Sequence, residues 1–98
     1  MESNKLVLQA IALRKCLDAT YNRTRFTLAP YILYTRHDEL HIDAVALEKD
    51  GQPPRELKLG TFKLAGLDIH GVTDRDFIPD ALYNPGEERY EGQTLFAD

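Results

Sequence analysis

A mainly β fold, a small antiparallel barrel with an N-terminal helix and an extended acidic C-terminal tail, is predicted by three features of the sequence. Between residues 30 and 67 apolar residues alternate in three segments, separated by polar turns at 36–39 and 50–54, the mark of consecutive antiparallel strands. Near the N-terminus the apolar residues instead recur at offsets of three and four, which is helical spacing. From residue 74 onward the chain is rich in turn formers and acids and holds only scattered apolar anchors, Phe77, Ile78, Leu82, Tyr83, Leu95 and Phe96.

The helix is expected over residues 4–15. Val7, Ala10 and Ile11, with Leu13 beside them, form its apolar stripe. Ser3 or Asn4 is suited to accept the first free N–H groups, and Arg14 and Lys15 suit the negative end of the helix dipole. Residues 16–21 and 24–29 then read as two strands around Asn22-Arg23, where asparagine tolerates positive φ in a tight hairpin. Pro30 lacks a backbone donor and marks an edge, a bulge or a hinge before a third strand that begins at Tyr31. On that strand Tyr31 and Tyr34 fall on opposite faces by simple alternation, one in the core and one free for a surface or pocket.

In the next strand Leu40, Ile42, Ala44 and Ala46 make one wholly apolar face, expected to meet the core. His41, Asp43, Val45 and Leu47 make the other, which passes from polar to apolar. Asp50-Gly51 and Pro53-Pro54 force a turn. From residue 56 to 64 the phase slips, since Leu57 and Leu59 share one face and Phe62 and Leu64 the other. Gly60 lies between them and predicts a β-bulge or a sharp coil. A short strand at 67–72 follows. The tail, residues 78–98, is expected to wrap the barrel, with a last strand at 94–97.

A chain of 98 residues suits one domain, here 1–98, with the barrel at about 16–77 and a stability of roughly 5–10 kcal/mol. There is no apolar run of membrane-spanning length and no signal-peptide pattern, so a soluble, cytoplasmic protein is expected. The single cysteine, Cys16, reads as a buried, inert thiol in a reducing compartment. The net charge of −4 divides unevenly. Residues 1–36 hold six Lys/Arg against two acids, whereas residues 37–98 hold six against fourteen. The acidic second half disfavours nucleic acid, whose phosphates are held by basic surfaces. Arg14, Lys15, Arg23, Arg25 and Arg36 read as an ordinary solvated surface.

Together the helix, Tyr21, the Pro30-Tyr31-Ile32-Leu33-Tyr34 segment, the strand at 38–46 and Thr61-Phe62-Lys63-Leu64 resemble the WYL domain family over about residues 6–77. The resemblance implies an SH3-like (Sm-like) barrel that senses ligands, usually behind a DNA-binding helix-turn-helix in bacterial transcription regulators. The family's Trp-Tyr-Leu positions fall on Leu40, His41 and Ile42. Its arginine-rich strand falls on residues 60–67, where Gly60 and Gly66 replace two arginines, Ala65 replaces an aspartate and Lys63 keeps one positive charge. With one predicted helix and no helix-turn-helix, the chain is expected to be a stand-alone WYL-like module that needs a partner or ligand.

The resemblance points to a small anionic or nucleotide ligand, bound by Arg25, Tyr31, His41, Lys58 and Lys63. Convergence of these cations and a tyrosine in one concavity would favour sensing; dispersal would favour a structural interaction or oligomerisation module, built on a second copy or a regulatory protein. Single-stranded nucleic acid, stacked on exposed tyrosines, is the third possibility. No metal or cofactor is expected. His37 lies in a turn, His41 on a strand and His70 near the end of another, with no cysteine pair to join them. No catalytic residue is assigned. Asp38-Glu39 suits a turn, Asp43 near His41 lacks a nucleophile to serve, and Glu87, Glu88 and Glu91 form a solvated patch. The chain is not expected to be an enzyme.

Overall fold

A computed structural model describes residues 2–78 and 94–97. Helix α1 (Glu2–Leu13) leads into strands β1 (Lys15–Tyr21), β2 (Thr24–Arg36), β3 (Glu39–Lys49) and β4 (Leu59–Lys63). A single 3₁₀ turn at Leu64–Gly66 then reverses the chain into β5 (Leu67–Asp76), and β6 (Thr94–Ala97) closes the order. The fold is mainly β, an open barrel-like antiparallel sheet with one N-terminal helix, as predicted. Its strand order is β4-β3-β2-β1-β5, and β6 lies against β2. The tail predicted to wrap the barrel lies outside the described residues, apart from β6, which occupies the expected stretch.

Three two-residue turns set the register. Asn22-Arg23, His37-Asp38 and Asp50-Gly51 all have positive φ, from 50° to 82°, the conformation whose twist matches that of the flanking strands. Asparagine, aspartate and glycine reach it at least cost. In the third turn Lys49 and Gln52 exchange both backbone hydrogen bonds, at 2.8 and 3.1 Å.

The helix begins and ends two residues earlier than expected. Glu2 starts it, so Asn4 stands inside the first turn and does not cap it. Arg14, at φ 55°, ends it; its carbonyl accepts from the Phe77 N–H at 2.9 Å. Lys15 therefore belongs to β1, where it pairs with Asp76. Val7, Ala10 and Ile11 are buried as the stripe requires, but Leu13 is 57% exposed.

The predicted third strand is not separate. β2 runs unbroken for 13 residues through Pro30. Its pairing with β3 slips at that point, Pro30 facing Ala44 and Ile32 facing Asp43, so Tyr31 is the extra residue of a bulge. The site suits proline, because β2 exchanges one neighbour for another there. β1 pairs last at Leu28 and β6 first at Ile32, so the missing N–H falls between the two ladders.

The bulge inverts the side-chain parity of β2, and the sheet carries a core on each face. On one, α1 packs Val7, Ala10 and Ile11 against Leu17, Leu28, Leu33, Ile42 and Phe62. On the other, Cys16, Ala29, Ile32, Val45 and Phe77 cluster with both tyrosines. Tyr31 and Tyr34 thus share a face, contrary to simple alternation, and each is at most 2% exposed.

No bulge occurs at Gly60. β4 pairs with β3 without a slip from His41–Lys63 to Val45–Leu59. The apparent change of phase arises because both faces of β4 are covered: Phe62 enters the helix-side core, and Leu59 packs on the opposite one. Gly60 is small for a different reason. A Cβ there would meet the Phe62 ring at 3.2 Å. Phe62 itself is met edge-on by Tyr21 and Phe26, at centroid distances of 5.2 and 5.7 Å.

Candidate functional site

The β2–β3 turn, the C-terminal end of β4 and the first turn of α1 meet around a half-open cleft of about 500 Å³, within the size range of small-molecule sites. Its polar lining comes from Asn4, Asp38, Glu39 and Lys63, and its apolar lining from Leu40, Leu64 and Leu67. The tight turn positions the carboxylates, since Asp38 takes its second, positive-φ position at 62°. β4 supplies Lys63 directly opposite His41 on β3. The lysine reaches diagonally to Glu39, with Nζ to Oε2 at 2.9 Å. Both side chains are about half exposed, at 45% and 51%, so the pair is worth at most about 1 kcal/mol and can exchange partners readily. Asp38 has no ion-pair partner among the described residues. Asn4 Oδ1 is shut off from solvent and has no hydrogen-bond partner among the described residues.

Of the five residues expected to bind a ligand, only Lys63 lines this cleft. His41 is its cross-strand neighbour, with Nδ1 3.1 Å from the Glu39 carbonyl and its ring 6.0 Å from that of Tyr34. Lys58 is exposed and precedes β4 at the end opposite Lys63. Arg25 is engaged elsewhere, donating from Nε and Nη2 to the two carboxylate oxygens of Asp18 at 2.9 and 2.6 Å. That bidentate pairing holds the Asp18 carboxyl below its ordinary value. Tyr31 donates to the Ile78 carbonyl at 3.0 Å and lines a separate cavity of about 350 Å³ with Val45, Leu47 and Phe77. The expected basic cradle is therefore dispersed.

Asp43, considered in the sequence as a partner for His41, faces the second core instead. It is 0% exposed, and its Oδ1 accepts from the Tyr34 hydroxyl at 2.7 Å and from Thr61 Oγ1 at 2.8 Å. These two donors make it a structural anchor between β2, β3 and β4. Cys16 is fully buried, and burial pushes its thiol up from the ordinary value, away from thiolate chemistry. Among the described residues no three His, Cys, Asp or Glu side chains gather in a metal-binding arrangement. No helix there is long and apolar enough to cross a membrane.

Asn4, Asp38 and Glu39 were not identified as cleft residues from the sequence. In the sequence Asn4 reads as a helix cap and Asp38-Glu39 as turn chemistry, and neither reading calls for a ligand. Only the approach of three distant segments brings these side chains around one cleft. No family model, curated protein or solved structure matches the chain.

Proposed function

We propose that the chain is a non-catalytic, ligand-sensing WYL-like domain that acts in the cytoplasm with a separate partner, in bacterial transcription or stress regulation. The observation that carries this proposal is the cleft beside Lys63. The segment resembling the WYL phenylalanine-leucine strand delivers its one remaining cation to a concavity with an apolar floor and several polar groups. Two carboxylates stand next to that cation, which weakens the case for a purely anionic ligand such as a nucleotide.

A second role, as a protein interaction or oligomerisation module, is favoured by the dispersal of Arg25, Tyr31 and Lys58 away from Lys63. The ten-residue β5 also pairs only with β1 among the described residues, leaving one edge open to strand addition.

Thermal-shift screening against small metabolites, nucleotides and short oligonucleotides, with the mass in solution measured alongside, separates the two. Sensing predicts a ligand that raises the melting temperature, a shift that Lys63→Ala abolishes while the variant keeps its fold. A shift unaltered by that substitution overturns the cleft as the sensing site. No shift from any compound, combined with a defined oligomer, supports the interaction module.

A further inference from the structure

The charges and the floor of the Lys63 cleft specify more than a generic ligand. Its three ionised side chains, Asp38, Glu39 and Lys63, sum to one negative charge. A simple anion would gain Lys63 but would sit against two carboxylates. A simple cation would gain Asp38 yet compete with Lys63 for Glu39, at 2.9 Å. A molecule with both charges leaves no group unpaired. Its carboxylate takes Lys63, and its ammonium takes the released Glu39 together with Asp38. The exchange involves a half-exposed ion pair, so little is lost in opening it.

Asn4 also lines the cleft; with its side-chain oxygen shut off from solvent, the part of the amide that can meet a ligand is its NH₂ group, a donor suited to a carboxylate. Leu64 and Leu67, each 6% exposed, with the half-buried Leu40, provide an apolar surface next to these polar groups. Such a surface favours a hydrocarbon body in preference to a second polar group.

We infer that the cleft binds a free α-amino acid with an aliphatic side chain, its charged head held by Lys63, Glu39, Asp38 and Asn4 and its side chain on Leu40, Leu64 and Leu67. This inference rests on the sensing role proposed above and names the ligand class for that same site.

The test is a titration of the full chain with L-leucine, followed by calorimetry and by amide chemical shifts in NMR. The comparison compounds are isopentylamine, which lacks the carboxylate, 4-methylpentanoate, which lacks the ammonium, and glycine, which lacks the side chain. Leucine is expected to bind at least about tenfold more tightly than each of them, the scale of one lost charge-assisted contact for the first two and of lost apolar burial for glycine. Shift changes should centre on residues 38–40 and 63–67. Lys63→Met should abolish the preference for leucine over isopentylamine, weakening leucine and strengthening isopentylamine, which no longer competes with Lys63 for Glu39. Asn4→Ala, on the helix side of the cleft, should weaken leucine while leaving the spectrum of the free protein folded.

Equal binding of 4-methylpentanoate or glycine overturns the inference, as do shift changes confined to other parts of the sheet. No leucine binding at millimolar concentration, with a Lys63-dependent thermal shift from another compound, overturns the amino-acid assignment and leaves the sensing role standing. No Lys63-dependent shift from any compound overturns both.

Discussion

Replacing Tyr34 with phenylalanine isolates the contribution of the buried network at Asp43. The tyrosine is 0% exposed and lies in the second core, so Tyr34→Phe keeps the ring packing and removes the hydroxyl that donates to Asp43 Oδ1 at 2.7 Å. A hydrogen bond to a group of this kind contributes about 1.5–3 kcal/mol, and the acceptor left behind is buried. Thr61 still donates to the same oxygen at 2.8 Å, which places the expected loss near the lower end, about 1.5–2 kcal/mol. For a domain of this size, that lowers the melting temperature by roughly 10 °C. Thr61→Val removes the other donor to the same buried oxygen, which Tyr34 still serves, and should cost about 0.5–1.5 kcal/mol. Because both hydroxyls serve one oxygen, the double variant should lose more than the sum of the singles. Urea denaturation followed by circular dichroism measures all three, with an unchanged slope m expected for each. A loss below about 0.5 kcal/mol for Tyr34→Phe, or strict additivity in the double variant, would refute the view that Asp43 anchors three strands through these donors.

Two further outcomes follow from the electrostatics. Cys16 is fully buried and its thiol is pushed up by burial, so a thiol reagent at pH 8 should modify the native protein far more slowly than the urea-unfolded chain; equal rates would place Cys16 at the surface. The depressed Asp18 carboxyl makes the Arg25 pair a source of stability that is present above the unfolded carboxylate value of about 3.9 and lost as pH falls through the lower folded value. The melting temperature of Asp18→Asn should therefore lie slightly below that of the wild type at neutral pH and converge with it on acidification, and a gap that persists below both values would rule out the ion pair as its cause.

Much of the fold was legible because local chemistry and long-range geometry agree. Asn22-Arg23, His37-Asp38 and Asp50-Gly51 sit at the hairpin tips, where positive φ is required, and Val7, Ala10 and Ile11 mark the buried side of α1. The misreading at Gly60 has a physical origin. Alternation identifies a core face only when the other face is wet, and here both faces of the sheet are covered. Two apolar faces around Gly60 consequently imitate a change of phase; Leu13 is a separate case, exposed because it is the last residue of α1. The cleft was less legible still. Lys63 could be singled out as the cation of a strand resembling that of the WYL family, but Asn4, Asp38 and Glu39 come to line one cleft with it only when the α1 N-terminus and the β2–β3 turn meet the end of β4.

The bulge at Tyr31 links these observations. Slipping a strand by one residue moves every later side chain to the opposite face, and the register change between Pro30 and Ile32 does this within β2. Without it, Leu33 would leave the helix-side core and Tyr34 would enter it, taking its hydroxyl away from Asp43. Asp43 would then be a fully buried carboxyl without its Tyr34 donor in the middle of β3, a cost large enough to oppose that register. The tyrosine–aspartate hydrogen bond and the bulge therefore specify each other. Together they fix the last part of β2, and with it the turn that carries Asp38 and Glu39 to the rim of the cleft.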